Sequence, residues 1–256
     1  MLTSPEINEL LDIVSRKQYQ RNHPSALKFL KSVQGFTEIG VQHANTFEAE
    51  RADFLFDSLN FKGFRVLDIG ANIGYFSIAA AEHGAQSVVA YEGEEDGAKL
   101  LTLLAKSLNY SDVITSLDSS FNFAETATSY FDAIICLNVL HHIGRYFEDS
   151  DISKEDAMAL LVKHLNALAS QGNYCCFQMG YNWKGDESQP LFAGGSKGEM
   201  IEFLTEGIKE VWEVHKIGLL VPDSMRYEEC SEDHLNRFDE LGEFGNRPIF
   251  ILKNRN

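Results

Sequence analysis

Positive charge is scarce in this chain. Lys and Arg number 22 against 38 Asp and Glu, a formal net charge of −16 over 256 residues, and the pI is about 4.9. Nucleic-acid affinity rests largely on cations that neutralise phosphates. RNA or DNA is therefore not the default partner, although a local basic patch can sit inside an acidic total. Cysteine is also sparse, at four residues. Cys136, Cys175, Cys176 and Cys230 show no CxxC spacing and no Cys/His grouping with zinc spacing. They read as reduced thiols of a cytoplasmic protein. The apolar runs are too short to span a bilayer. Met1-Leu2-Thr3-Ser4-Pro5-Glu6 has no basic stretch leading into an apolar one, so no secretory signal is expected. A Walker A loop is missing, and His141 and His142 are adjacent rather than spaced for one helical face, so no metal site is expected.

What is present is a core. At 44% hydrophobic residues the chain is not globally disordered, and its length suits one α/β domain with modest additions. Residues 1–60 read as a helical extension ahead of a main domain over 61–256. Ser4 is placed to cap a helix starting at Pro5, with Ile7, Leu10, Leu11 and Val14 on one face. A second amphipathic segment covers 46–59, with Phe47, Phe54, Leu55 and Leu59 apolar.

From Arg65 the rhythm changes. Strands are expected at 65–70, 87–92, 113–116, 131–137 and 174–179, and helices at 74–83, 95–109 and 153–169. Strands alternating with helices imply a parallel sheet with right-handed crossovers. Val211 to Val221 and Pro248 to Leu252 suit a closing antiparallel pair, and the acidic stretch 223–246 between them reads as a surface excursion of low order.

The turn after the first strand carries the chemistry. Asp68-Ile69-Gly70-Ala71-Asn72-Ile73-Gly74-Tyr75 approaches the dinucleotide fingerprint GxGxxG but departs from it twice. Asn72 stands where the second Gly should admit a pyrophosphate, and Tyr75 where the third should allow close helix packing. Asp68 would repel a diphosphate and attract a cation. Two unit charges about 4 Å apart interact by a few kcal/mol at intermediate dielectric, enough to choose between ligands.

Val66-Leu67-Asp68-Ile69-Gly70-Ala71-Asn72-Ile73-Gly74 closely resembles motif I of the class I S-adenosylmethionine-dependent methyltransferases. The run Phe131 to Ile143, ending Asn138-Val139-Leu140-His141-His142-Ile143, resembles the family's motif IV region. The resemblance covers about residues 60–180. It implies an α/β, Rossmann-like fold with a seven-stranded, mostly parallel sheet, helices on both faces and the N-terminal helical addition. It implies S-adenosyl-L-methionine as cofactor, whose sulfonium and α-ammonium are cationic. Gly70 and Gly74 would let the backbone approach the methionine portion, with Asp68 orienting polar groups there and Asn72, Tyr75 and Phe76 completing the turn. Glu92, at the end of the second strand, would accept hydrogen bonds from the ribose hydroxyls. Asp118, or Ser119 in its place, would meet the adenine amino group, and carbonyls near Leu137 and Asn138 would receive the ammonium.

Each position has a plainer reading as well: Glu92 as part of the acidic run Glu92-Gly93-Glu94-Glu95-Asp96, and Asp118 as a turn former. Methyl transfer to oxygen needs a proton removed, and histidine, with a reference pKa of about 6.5, suits that role. His141 and His142 are the candidate bases, with packing and pocket shaping as the alternative. Tyr181 and Trp183 are candidate acceptor contacts, through ring stacking on carbohydrate or nucleotide. His23, His43, Glu48 and Arg51 precede the sheet, and Arg51 reads more simply as a surface charge than as a partner for the methionine carboxylate. The favoured function is O-methylation of a small molecule or glycan precursor. The alternatives are a tRNA or rRNA methyltransferase, a non-catalytic binding protein keeping the cofactor fold, and a nicotinamide-dependent oxidoreductase. No membrane partner is expected.

Overall fold

A computed structural model describes residues 2–17, 22–37, 46–124 and 129–256. In chain order the elements are α1 (Ser4–Arg16), α2 (Pro24–Ser32), α3 (Glu48–Ser58), β1 (Arg65–Ile69), α4 (Tyr75–Glu82), β2 (Ser87–Glu92), α5 (Glu95–Ser107), β3 (Ile114–Asp118), β4 (Phe131–Leu137), α6 (Lys154–Ala167), β5 (Gly172–Gln178), α7 (Lys197–Ile208), β6 (Trp212–Val221), β7 (Arg226–Glu229), α8 (Gly242–Gly245) and β8 (Ile249–Asn254). They fall into two compact units, one of Met1–Ala44 with Phe61–Phe121 and one of Asn45–Asn60 with Asn122–Asn256.

In the first unit β2 lies between β1 and β3, all parallel, with Asp68 beside Ala90 and Glu92 beside Asp118. β1 and β2 are short apolar runs in which Val66, Leu67, Ile69, Val88 and Ala90 are buried, whereas β3 buries Ile114 alone. α5 buries Leu100, Leu101 and Leu104 along one face. α1 packs on α5. Its cap is Thr3 rather than Ser4, because Thr3 and Glu6 form a reciprocal capping box that satisfies two orphan donors.

In the second unit the strand order is β4-β5-β8-β6-β7. β5 is parallel to β4, and β8, β6 and β7 each run antiparallel to the strand before them in that order. The expected pairing of the two late strands is therefore present. Cys136, Cys175 and Cys176 are buried in β4 and β5, and Cys230 is half-buried. The Rossmann-like α/β alternation holds, with eight strands among the described residues rather than seven.

The additional strand, β7, lies in the stretch read as a low-order excursion. That stretch is ordered by a few anchors within its acidic surface: Tyr227 is 8% exposed, Leu241 5% and Asn246 1%. The Asn246 side chain donates to Phe238 O and accepts from Phe238 N, both at 2.8 Å. Among the described residues no helix is long and apolar enough to cross a membrane.

Candidate active site

The first unit shapes the turn after β1 by backbone geometry. Gly70 (φ 72°), Asn72 (φ 53°) and Gly74 (φ 84°) all lie in the left-handed region, which glycine enters freely and asparagine tolerates. Gly70 N and Ala71 N both donate to Tyr91 O at 2.9 Å, tying the turn to β2. A Cβ on Gly74 would drive into the Leu101 side chain, 3.0 Å from Cγ. Glu92 is built into the turn rather than left in the solvated acidic run: Oε2 accepts from Asn72 N at 2.7 Å and Oε1 from Glu94 N at 2.9 Å. Gly97, on α5, escaped the sequence reading. A Cβ there would sit 3.0 Å from Glu92 Cγ and 3.2 Å from Asn72 O, so glycine is what lets α5 approach the turn.

Asp68 is not the open anion its place in the sequence suggested. It is 3% exposed, and its Oδ2 accepts a hydrogen bond from the Ser77 hydroxyl at 2.6 Å. Burial pushes its carboxyl up to about 7. The Ser77 hydrogen bonds work against that rise and the Glu92 charge adds to it. Asp118 is exposed at the end of β3, in register with Glu92. Tyr75 is buried with its ring edge-on to His23 at 5.0 Å, and Phe76 is half-buried 5.5 Å from Tyr75. Asp68 and Glu92 thus flank the turn that carries Asn72 and the glycines. A buried carboxyl with a single side-chain donor, beside a second carboxylate, fits a cationic group better than a diphosphate.

In the second unit β4 runs into a polar network. Leu137 and Asn138 are half-buried, and Asn138 sits at φ 63°. Its side chain is engaged at both ends: Nδ2 donates to Gln178 Oε1 at 2.9 Å, and Oδ1 accepts from Arg247 Nη1 at 2.7 Å. Gln178 Nε2 donates to Arg247 O at 3.0 Å, and Arg247 Nε donates to both oxygens of Glu243. Arg247, Gln178 and Glu243 were not singled out from the sequence. They lie forty or more positions from Asn138, and no local pattern joins them. Arg51 is not a surface charge: it is 5% exposed and donates to Gln178 Oε1 at 3.4 Å. His43 lies outside the described residues.

The two histidine rings lie 4.1 Å apart between centroids, tilted by 35°, but differ in access. His141 is 3% exposed, and its Nδ1 has no hydrogen-bond partner among the described residues. Burial, then His142 and Arg247, hold it well below the usual imidazole range. His142 is half-buried, with its pKa pushed down to about 4 by burial and then by Arg145. Both are neutral at pH 7, and His142 is the one open to a solute. Tyr181 is 2% exposed and donates to Asn246 O at 2.8 Å, so its ring is a packing element and not an open stacking platform. Trp183 is half-buried; its Nε1 donates to Ile143 O at 2.9 Å, and Lys184 Nζ lies 4.3 Å from its ring centroid.

Gly194-Gly195-Ser196-Lys197-Gly198 spells GxSxG, the letters of a nucleophile elbow. Ser196 is instead the N-cap of α7, accepting from Glu199 N at 3.2 Å in a capping box, and no strand leads into it. Among the described residues no group of three or more His, Cys, Asp or Glu is placed to hold a metal ion.

A methyltransferase-domain family matches residues 41–188, more than half of the chain. Among solved structures the chain is similar to the N-methyltransferase NodS from Bradyrhizobium japonicum WM9 in complex with S-adenosyl-L-homocysteine, at 14% identity over 93% of this chain and 99% of that one, TM-score 0.52. It is also similar to the ribosomal protein L11 methylase from Lactobacillus delbrueckii subsp. bulgaricus, at 13% identity over 89% and 92%, TM-score 0.50. These two likenesses establish the fold. No curated protein sequence matches the chain. The family match, with its motif turn built as described, shows that the chain belongs to the methyltransferase-domain family and is a class I S-adenosylmethionine-dependent methyltransferase.

Proposed function

We propose that the chain methylates an oxygen of a small molecule or glycan precursor in the cytoplasm. S-adenosylmethionine supplies a methyl group on a positively charged sulfur. The observation that carries the cofactor assignment is the buried Asp68 carboxyl at the base of a left-handed turn, with Glu92 fixed beside that turn. Asp68 and the backbone of Gly70, Asn72 and Gly74 hold the methionine portion. Glu92 has lone pairs left for the ribose hydroxyls, Asp118 would meet the adenine amino group, and Tyr75 and Phe76 would complete the turn.

In the second unit the β4 terminus offers the backbone of Leu137 and Asn138 rather than the Asn138 side chain, which is fully engaged. His142 is the base, neutral and half-open, with His141 packed behind it. A base with a pKa near 4 takes a proton only with modest driving force, so positioning and water exclusion dominate the rate. Trp183 borders the acceptor. The net charge of −16 supports a small acceptor over a polyanion.

Calorimetric titration with S-adenosylhomocysteine and with NADH tests the cofactor; binding of the first alone is expected. Transfer from labelled cofactor to separated metabolite and RNA pools tests the acceptor. Label in RNA alone would overturn the small-molecule assignment.

A further inference from the structure

Ser77 is a hydroxyl in α4 with no exposure at all. Nothing in helix packing asks for a polar group there, and its Oγ reaches one acceptor, Asp68 Oδ2, at 2.6 Å. We propose that Ser77 is a positioning residue for the cofactor, holding the Asp68 carboxyl in the orientation and charge state that receive a cationic ligand. This rests on the assignment of Asp68 to the cofactor site.

Competing effects set the charge of Asp68. Two groups act on Asp68 beside its burial: Ser77 from α4, which favours the carboxylate, and Glu92 from β2, which opposes it. Glu92 cannot turn away without giving up Asn72 N and Glu94 N. The Ser77 hydroxyl is therefore the side-chain donor that offsets burial, and the Ser77 backbone N–H adds a smaller effect that alanine retains. With the hydroxyl, Asp68 stands near half-ionised at neutral pH. A ligand bringing positive charge draws the proton off, so its binding releases a proton and strengthens as pH rises through about 7. Without the hydroxyl, the carboxyl keeps its proton to higher pH.

The experiment is calorimetric titration with S-adenosylhomocysteine from pH 6 to 9 on the wild type, Ser77→Ala and Asp68→Asn. Alanine is a strong helix former and smaller than serine, so the fold is retained. The expected result for Ser77→Ala is affinity weaker by about tenfold at pH 7, the loss of one hydrogen bond to a charged group. Its rise in affinity is displaced to higher pH, a displacement that a merely structural serine would not produce. Wild-type affinity with an unmoved pH profile in Ser77→Ala, alongside weakened binding in Asp68→Asn, would overturn the role of Ser77 alone. Wild-type affinity in Asp68→Asn would overturn the assignment of Asp68 itself.

Discussion

Replacing Asp68 by asparagine should stabilise the protein in mild alkali while weakening its hold on the cofactor. The carboxyl titrates near 3.8 in the unfolded chain and near 7 in the fold. Between those values the folded state keeps a proton that the unfolded chain has lost. Asp68 therefore contributes most to stability below about pH 4, and the contribution falls away as pH rises to about 7. At pH 8 the whole penalty applies, about 4 kcal/mol at about 1.4 kcal/mol per pH unit. Asparagine has no charge to desolvate and retains an oxygen for Ser77. The expected gain from Asp68→Asn is about 2–4 kcal/mol at pH 8, allowing for an imperfect amide fit, and close to zero at pH 4.5. Urea unfolding at the two pH values, with the same slope applied to both proteins, measures it. A variant less stable than wild type at pH 8, or a difference independent of pH, would refute the account of Asp68 as a buried carboxyl. Such a group is retained for binding at a cost to stability.

Gly74→Ala should lose about 2–3 kcal/mol, because the new methyl meets Leu101 and φ is 84°; an unchanged urea midpoint would contradict this. Arg247→Met takes the guanidinium from the Asn138 carbonyl and from the Glu243 carboxylate, which keeps Tyr181 N, and should cost about 2–4 kcal/mol. Glu243→Gln added to it should recover part of that loss in a double-mutant unfolding cycle. His142→Ala should slow methyl transfer about 10²-fold or more, with cofactor affinity within about twofold of wild type. Normal transfer rates in both His142→Ala and His141→Ala would remove the histidine base.

The sequence by itself determined the alternation of strands and helices, because burial imposes a period that survives without knowledge of partners. Val66-Leu67 and Val88 to Ala90 read as strands and residues 95–109 as a helix, and each is so. It also determined the family, since Asp68 to Gly74 must follow one another for the turn to form. Only the tertiary structure decided what those residues experience. Asp68 reads as an anion in the sequence, and becomes a carboxyl poised between charge states because the fold buries it against Ser77. Gly97, Arg247 and Gln178 acquire their roles through atoms distant along the chain, and His141 and His142, adjacent in sequence, differ because one faces inward. Periodicity is a local property, whereas dielectric environment and hydrogen-bond closure belong to the assembled fold.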